Sequence, residues 1–348
     1  MGKITIRDVA AAAGVSRQTV SRVLNNKPDV APQTRQRILG IIDQLGYRPS
    51  SIARSLTQGR SFTLGVVSYG VQYFGPSHTL VGIEHQANEL GYTLLLGLMR
   101  QPEMSGVQLL HDMLSYHVDG IIWAVSEIGN NRDWMQRELC GLTVPVVFLD
   151  TQPCANLSVV NVDNRGGGYL ATKHLLDQGY GNIGLITGPS PWWSARQRRL
   201  GWQDALEEAN LAVEDSLVVE GTWSARSGER GLGQLLEQHP HVDALFACND
   251  QMALGALKAA RNLGRRVPQD LAIVGFDDVP EAAFFCPPLS TVRQDLDGLG
   301  RCAVRELDRL IQAQQQGDSD VELQTFSLQP ELIVRESSIN PTSGISDP

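Results

Sequence analysis

Residues 5–25, TIRDVAAAAGVSRQTVSRVLN, predict two short helices joined by a tight turn. The first helix is rich in alanine and ends near Ala13, Gly14 permits the turn, and the second helix begins at Ser16. The first turns of this second helix carry three side chains that can hydrogen-bond base edges: Arg17, Gln18 and Arg22. The pattern favours a DNA-binding helix-turn-helix, whose second helix enters the major groove. An ordinary helical hairpin with solvated charges is the alternative.

The charge distribution supports the DNA-binding interpretation. Residues 1–60 hold ten Lys and Arg against three Asp and no Glu, which gives a net charge of +7. The whole chain carries −9, so residues 61–348 carry −16. A basic segment joined to an acidic one is typical of a small nucleic-acid-binding domain fused to a larger body. Attraction to phosphate is therefore expected in the first 60 residues only.

A third helix completes the predicted N-terminal domain, which spans residues 1–49. Pro32 suits the first turn of this helix, apolar residues follow at helical spacing, and Gly46 suits its end. The three helices can share one small core, formed by Ile6, Val9, Ala10, Val15, Val20, Val23, Leu24, Val30, Ile38 and Leu45. Residues 50–61 are predicted to link this domain to the body. The segment 50–56 could form one or two helical turns, which would be marginal alone in water.

From residue 62 onward, short apolar runs alternate with amphipathic helical stretches. The runs fall into two sets, at 63–68, 92–98, 120–125 and 144–150, and then at 182–188, 243–250 and 271–278. This βαβ alternation predicts an α/β body of two parallel-sheet sub-domains behind an all-α head. We expect the sub-domains at 62–162 plus 293–322 and at 163–292 plus 323–338, with a disordered tail at 339–348.

Polar side chains follow several of the predicted strands, where open α/β sheets bind their ligands. They are Ser68, Tyr69, Asp150, Thr187, Asn249, Asp250, Asp277 and Asp278, and we add Arg196, Arg198, Arg199 and Trp223 from nearby motifs. Acids, amides and an arginine beside an aromatic face are the chemistry of a sugar pocket. Acids after strands can instead cap helices, and for Asp250 and Asp278 both interpretations stay open.

Other classes of function find little support in the sequence. No apolar run reaches membrane-spanning length, no signal peptide opens the chain, and five cysteines without CxxC spacing suit a reducing cytoplasm. His239 and His241 lack further metal ligands at suitable spacing, and Gly166-Gly167-Gly168 lacks the lysine of a phosphate-binding loop, so close helix packing is the better interpretation. We find no nucleophile and base set, and expect neither enzyme activity nor a cofactor or metal.

The motifs above resemble the LacI/GalR family of bacterial transcription regulators over nearly the full chain. The head matches through residues 5–25, Pro32-x-Thr34-Arg35, Leu45-Gly46-Tyr47-x-Pro49 and Ala53-x-Ser55-Leu56. The body matches through GPSPWWSARQRRLGW, TWSARSG, NDQMALGAL, IVGFDD and PPLSTVRQD, in order and at the family's spacing. The resemblance implies a homodimer on a pseudo-palindromic operator, with a small effector between the halves of a periplasmic-binding-protein-like body.

The resemblance also implies roles for individual residues of the head. Arg17, Gln18 and Arg22 match base-reading positions. The positions that contact the DNA backbone or place the helix are matched by Thr5, Ser16, Thr19, Ser21, Asn25 and Tyr47. Ile52, Ala53 and Leu56 match a hinge helix whose leucine is wedged into the minor groove. The family usually has asparagine where Ser50 stands, although serine can still cap that helix.

In the body, the resemblance implies an effector site at ten positions. They are Ser68, Tyr69, Tyr73, Pro76, Asp150, Arg198, Trp223, Asn249, Asp277 and Gln294. We therefore predict a cytoplasmic transcriptional repressor that binds operator DNA and responds to a sugar, with a galactoside as the first candidate effector. A nucleobase is less favoured because the sequence shows no array of aromatic residues along the cleft. The alternative is a sugar-binding or sugar-processing protein whose helical head binds a protein partner.

Overall fold

The computed structural model describes residues 4–24, 27–47, 60–100, 106–128, 138, 142–318 and 321–340. The chain divides into two compact units, Met1–Phe62 and Thr63–Pro348. Each unit has its own buried apolar core. The fold class predicted from the sequence, a helical head followed by two parallel-sheet sub-domains, is confirmed.

The head contains three helices, α1 (Ile6–Ala13), α2 (Arg17–Leu24) and α3 (Pro32–Leu45). The amide of Thr5 donates to the Asp8 carboxylate at 2.8 Å, which caps α1 and lowers the pKa of Asp8. Gly14 has φ of +64°, the left-handed conformation that turns the chain between α1 and α2. The shared core includes Val9, Val20, Val23 and Ile38, all of which are buried. One face of α2 thereby packs into the core of the head, and its other face is exposed to solvent.

The first lobe of the body is a wholly parallel sheet with the strand order β11-β5-β4-β3-β1-β2. Its strands are β1 (Thr63–Tyr69), β2 (Thr93–Met99), β3 (Gly120–Ala124), β4 (Val146–Leu149), β5 (Ser158–Val162) and β11 (Thr325–Leu328). Its helices are α4 (Phe74–Glu89), α5 (Val107–Ser115) and α10 (Leu296–Gln315). The central strands are apolar and buried on both faces, as a parallel sheet covered by helices requires.

The second lobe has the strand order β12-β10-β9-β8-β6-β7, in which only β12 runs antiparallel to its neighbour. Its strands are β6 (Ile183–Thr187), β7 (Val218–Glu220), β8 (Ala244–Ala247), β9 (Ala272–Asp277), β10 (Ser290–Arg293) and β12 (Glu331–Ile333). Its helices are α6 (Asn164–Asp177), α7 (Trp193–Glu208), α8 (Ala225–Gln238) and α9 (Asp250–Asn262). The helices pack in the pairs α6 with α7 and α8 with α9.

The late part of the chain corrects one predicted boundary. We assigned residues 323–338 to the second sub-domain, but β11 pairs with β5 and therefore belongs to the first lobe. The chain returns to the second lobe only after Leu328, where β12 pairs with β10. The reason is that α10 packs on the first lobe, so the segment that follows it meets the open edge of β5 first. The alternating pattern of a short edge strand fits either sheet and could not decide this.

Glycine brings α6 and α7 into close contact below the cleft between the lobes. A Cβ on Gly168 would lie 2.3 Å from the carbonyl oxygen of Arg198, and one on Gly201 would lie 2.0 Å from that of Arg165. No side chain fits at either position without moving the backbone. Within the glycine run at 166–168, Gly168 therefore serves the helix packing that the sequence indicated, and this packing sets the position of Arg198.

Candidate functional site

A cleft of about 330 Å³ lies between the two lobes, near the lower end of the roughly 300–1,000 Å³ typical of small-molecule pockets. Strand ends and helix starts of both lobes form its walls. The residues that line it are Gln72, Tyr73, Phe74, Gly75, Pro76, Thr79, Ala124, Ser126, Leu149, Asp150, Val162, Asn164, Trp192, Ser194, Arg198, Trp223, Asn249, Gln251, Asp277, Gln294, Leu296 and Leu299.

Arg198 is the centre of the polar network in the second lobe. Its side chain is buried, and its Nε donates to Oδ1 of Asn164 at 2.8 Å while Nη1 donates to the carbonyl oxygen of Cys248. The guanidinium lies 3.7 Å over the ring of Phe276, and Nη1 lies 3.8 Å from Oδ1 of Asp277. These contacts fix the planar cation before any ligand arrives, which is the preorganisation that a bidentate donor needs.

Asp277 faces Arg198 from the end of β9. Burial raises the pKa of Asp277 to about 6, although the nearby Arg198 cation opposes the rise. Nε2 of Gln294 donates to Oδ1 of Asp277 at 2.6 Å, which orients the carboxyl group. Gln294 lies between β10 and α10, where the chain passes back to the first lobe. Asp277 is thus a hydrogen-bond acceptor held toward the cleft.

The first lobe contributes a second buried carboxyl group. Asp150 follows β4 with φ of +50°, a left-handed conformation that is uncommon outside glycine. Its carboxylate accepts from the hydroxyl of Ser126, and burial raises the pKa of Asp150. Asn249 stands opposite as the cap of α9, accepting from the amide of Met252 at 2.9 Å and donating to the carbonyl oxygen of Trp223 at 3.1 Å. The cleft therefore presents acceptors from both lobes.

Aromatic rings form one wall of the cleft. The ring centroids of Trp192 and Trp223 are 5.9 Å apart with an interplanar angle of 75°, so the two indoles meet as a corner. Tyr73 of the first lobe packs edge-on against Trp192, also with centroids 5.9 Å apart, and Tyr69 lies at the same centroid distance. The expectation that no aromatic array flanks the cleft was wrong. Periodicity could not reveal it, because its members come from three separate segments of chain.

Most of the predicted effector residues meet in this cleft. Eight of the ten line it: Tyr73, Pro76, Asp150, Arg198, Trp223, Asn249, Asp277 and Gln294. Ser68 and Tyr69 do not line it, because Ser68 is buried within β1 and Tyr69 stands behind Trp192. Whether the eight contact an effector stays a prediction.

The other candidates from the strand ends have structural partners outside the cleft. Asp250 accepts from the hydroxyl of Thr291 and, at 2.8 Å, from the amide of Val279, which ties β10 and the loop after β9 to α9. Asp278 forms ion pairs with two arginines of the second lobe. Arg199 lies on the outer face of α7 with Asp215 at 2.6 Å, and Arg196 reaches Glu127 at 3.2 Å. Asp250 and Asp278 therefore hold the fold, and Arg198 is the arginine of its motif that lines the cleft.

Several lining residues were not predicted from the sequence, among them Phe74, Ser126, Asn164, Trp192 and Ser194. A signal existed for two of them. Asn164 comes two positions after the last residue of β5, a largely apolar run that we did not identify as a strand. Trp192 is part of the motif that supplied Arg198 and precedes α7 by one residue, where side chains often meet ligands. The others depend on how loops fold over the cleft.

The head presents the predicted base-reading residues on one surface. Arg17, Gln18 and Arg22 are exposed on α2, whereas Val20 and Val23 of the same helix are buried. Four further predicted contacts, Thr5, Ser16, Thr19 and Ser21, are exposed or half-buried beside them, and Tyr47 is half-buried after α3. Asn25, Ile52, Ala53 and Leu56 lie outside the described residues, as does Ser50. The exposed polar face of α2 has the composition that reads base edges.

The described part of the chain holds neither a membrane-spanning helix nor a cluster of metal ligands. No helix in that part is long and apolar enough to cross a membrane. In the same residues, no three His, Cys, Asp or Glu side chains come together in a way that could hold a metal ion, and this applies to His239 and His241.

Two protein-family models match the chain. The model of bacterial regulatory proteins of the lacI family matches residues 5–50, and the model of the periplasmic binding protein-like domain matches residues 172–338. These matches cover the helical head and most of the second lobe with the late elements of the body.

Relatives and solved structures that match almost the whole chain agree with these family matches. The chain is 37% identical over 335 residues to the HTH-type transcriptional repressor PurR of Haemophilus influenzae (strain PittEE), covering 96% of this chain and 98% of that protein. It is 33% identical to the HTH-type transcriptional regulator DegA of Bacillus subtilis (strain 168), covering 97% and 98%. The structure of the lac repressor dimer bound to operator and the anti-inducer ONPF has a TM-score of 0.84 at 30% identity, covering 97% and 100%. The complex of the transcriptional regulator CelR with cellobiose has a TM-score of 0.72 at 32% identity, covering 96% and 99%.

The head, the two-lobed body and the relatives at more than 30% identity over almost the whole chain all agree. The chain therefore belongs to the lacI family of bacterial regulatory proteins and is a DNA-binding transcriptional repressor of that family.

Proposed function

We propose that this repressor binds a small sugar in the cleft between its lobes, and that the bound sugar changes its affinity for operator DNA. The observation that carries the proposal is the set of fixed polar groups around one cavity: Asp150 from the first lobe, and Arg198, Asn249 and Asp277 from the second. A ligand that hydrogen-bonds the polar groups of both lobes stabilises the arrangement in which the lobes are together. Operator affinity changes only as far as the sugar prefers that arrangement.

The chemistry of the walls supports a sugar. Two carboxyl groups can accept hydrogen bonds, and the buried guanidinium of Arg198, whose Nε already donates to Asn164, can donate others, which suits neighbouring hydroxyls on a ring. Trp223 offers an apolar face beside Arg198. The guanidinium carbon of Arg198 lies 5.7 Å from the centroid of the Trp223 ring. One similar structure is a complex with cellobiose, a sugar. A galactoside stays our first candidate, and a glycoside with a second ring against Trp192 is the next.

A nucleobase is the second candidate, and the aromatic wall favours it. Trp192 and Trp223 stand at 75° to each other, so a planar base can stack on one indole while its edge meets the face of the other. A sugar can place one apolar face on an indole and direct its hydroxyls to the acids, which makes it the better match.

The DNA-binding half of the proposal concerns the face of α2. We propose that Arg17, Gln18 and Arg22 read bases in each half of a pseudo-palindromic operator, and that the protein binds as a homodimer. The net charge of +7 within residues 1–60 supplies the attraction to phosphate.

Two measurements test this function. Selection from random duplexes should return one sequence with two related half-sites, and an enriched sequence without two related half-sites would contradict a homodimer on a pseudo-palindromic operator. Titration calorimetry of the full chain against galactosides, glucosides, cellobiose and nucleobases should then show a sugar as the binder. Binding of a nucleobase alone would replace the sugar, and a panel in which nothing binds would contradict a sugar effector.

A further inference from the structure

One ion pair joins the two lobes at the rim of the cleft. Nη2 of Arg196, on α7 of the second lobe, lies 3.2 Å from Oε1 of Glu127, in the loop after β3 of the first lobe. The Glu127 side chain is 8% exposed, and its other oxygen accepts from the hydroxyl of Thr151 at 3.0 Å and from the amide of Gln152 at 3.1 Å. The Glu127 carboxylate is therefore built into the first lobe, and Arg196 reaches it from the second.

Backbone contacts reinforce this ion pair. The amide of Trp193 donates to the carbonyl oxygen of Glu127 at 2.9 Å, and Ile128 and Trp192 form an antiparallel bridge. Nη1 of Arg196 donates to the carbonyl oxygen of Pro191 at 2.6 Å, which holds the guanidinium in place at the start of α7. The two lobes are thus fastened at residues 127–128 and 192–196.

The ion pair itself lies outside the effector cleft. Neither Glu127 nor Arg196 is among the residues that line it. Both lie close to lining residues, however, since Ser126 precedes Glu127 and Ser194 lies two positions before Arg196. A change at the ion pair can therefore alter how the lobes meet without removing a group from the cleft.

We propose that Glu127 and Arg196 are positioning residues of the regulatory response: they form a rim clasp that favours the arrangement with the lobes together, and so set operator affinity before any effector binds. The inference rests on the proposed function, in which a ligand between the lobes controls DNA binding. It goes further in assigning part of that control to a contact that no ligand touches.

The direction of the effect follows from linkage. An effector that contacts both lobes and the rim clasp both stabilise the same arrangement. Loss of the clasp therefore shifts the unliganded protein in the direction opposite to the effector. If a sugar releases the operator, the clasp variants bind operator more tightly without sugar. If a sugar promotes binding, they bind more weakly. The sign is fixed in either case.

The test compares Arg196→Ala and Glu127→Gln with a matched control, Arg199→Ala. Arg199 lies on the same helix with similar exposure, 41% against 39%, but its partner Asp215 belongs to its own lobe. Glu127→Gln keeps an acceptor for Thr151 and Gln152 and removes the charge that faces Arg196. The readouts, on the full chain without ligand, are affinity for the duplex selected on the wild type and hydrogen exchange of the Trp193 amide.

We expect both clasp variants to change operator affinity in one direction, by about two- to thirtyfold, and to speed exchange at Trp193. The double variant should change operator affinity no more than the stronger single variant does, because the two substitutions break the same contact. Arg199→Ala should match the wild type. Clasp variants that also match the wild type would overturn the proposal, as would additive effects in the double variant.

A second arm adds lactose and cellobiose at saturating concentration. A sugar that moves wild-type operator affinity should move it opposite to the clasp variants, and a shift in the same direction would overturn the proposal. If neither sugar acts, that result counts against the proposed effector class, while the ligand-free measurements still decide the role of the clasp.

Discussion

Arg198 shows how one residue links fold and site. Its backbone carbonyl lies under Gly168 in the contact between α6 and α7, and its side chain binds Asn164 and the carbonyl oxygen of Cys248. The guanidinium covers the Phe276 ring and faces Asp277. Because every one of these partners is in the second lobe, the cation is placed by that lobe alone and is available to a ligand that enters from the cleft.

We expect Arg198→Ala to lower sugar affinity by at least about tenfold, because a charge-assisted hydrogen bond contributes roughly 1.5–3 kcal/mol. Operator binding should be retained, since Arg198 belongs to the body, so the variant should no longer respond to sugar. Calorimetry for the sugar and a gel shift for the operator measure the two properties. Arg199→Ala is the control, and unchanged sugar affinity in Arg198→Ala would remove this residue from the site.

The Asp277 carboxyl group predicts a pH dependence. Its pKa is raised from an ordinary value of 3.8 to about 6, so the folded protein keeps a proton there that the unfolded chain releases. Ionisation of Asp277 thus lowers the stability of the unliganded protein as pH rises from about 4 to about 6. A sugar hydroxyl donates a stronger hydrogen bond to the ionised form of Asp277 than to the protonated form, so sugar affinity should rise with pH through this range and level off above it.

At about pH 5 we expect sugar affinity to be up to about tenfold weaker than at about pH 7, since one unit below a pKa leaves roughly a tenth of the group ionised. Calorimetry at the two pH values measures the ratio. Asp277→Asn should weaken binding at both and flatten the dependence. Asp150, whose pKa is also raised by burial, accounts for any slope that persists in that variant. Equal wild-type affinities at both pH values would contradict the role of these acids.

At the scale of elements, α2 carries the specificity of the head. Its buried valines fix the rotation of the helix, and its exposed face carries Arg17, Gln18 and Arg22. Nη1 of Arg22 lies 3.2 Å from the carboxylate of Asp29, so this arginine is held from one side in the free head. The pair is exposed and contributes little to stability.

Arg17→Ala should relax base choice at one position in each half-site and weaken operator binding by roughly 1–3 kcal/mol per contact. Binding to random DNA should be affected much less, because that binding depends on total charge. Competition of operator against random duplex gives both values. An equal loss on the two duplexes would show that Arg17 contacts phosphate.

The contact between α6 and α7 is the element on which the second wall of the cleft depends. Gly201→Ala would force a Cβ to 2.0 Å from the carbonyl oxygen of Arg165, so we expect it to lower the free energy of unfolding of the body by about 1–3 kcal/mol or more. Gly233→Ala is the control, since that helical glycine has open space around it and gains helix propensity. Thermal unfolding compares them, and equal midpoints would contradict the packing argument.

Much of this fold followed from the sequence, and the omissions have physical causes. The long apolar runs and the glycine-marked helix ends of the head were predicted correctly. β5 was missed because Asn161 interrupts its apolar run, and that amide is satisfied by the backbone of Thr151, a contact that only the folded lobe provides. β7 is three residues long, below the length at which alternation shows.

The site was predictable where a residue follows a strand and harder to predict where loops meet. Asp150 and Asn249 follow β4 and β8, Asp277 is the last residue of β9, and all three line the cleft. Trp192 and Ser126 come from loops of different lobes, and their meeting depends on how the lobes close. The resemblance to a family supplied Gln294. It also singled out Arg198, which local pattern alone could not distinguish from Arg196 and Arg199.

At the scale of the body, the two lobes repeat one plan. Each described sheet has six strands. The chain passes from one lobe to the other just before α6 and again just before α10, and these two helices begin alike. Asp163 accepts from the amide of Gly166, and Asp295 accepts from the amide of Gly298, both at 2.8 Å. Glycine also brings α4 and α10 together in the first lobe, as it does α6 and α7 in the second. Within the described chain, segments near 163, 294 and 329 connect the lobes, so the lobes can turn as bodies about them.

The most direct test of the account is reciprocity between the two ligands. The sugar identified by calorimetry is titrated into the full chain alone and into the chain saturated with its selected operator duplex. We predict two different sugar dissociation constants, whose ratio equals the ratio of operator dissociation constants with and without sugar, in the range of roughly 5–150-fold. Identical sugar affinities in the presence and absence of operator would contradict the claim that the cleft controls DNA binding.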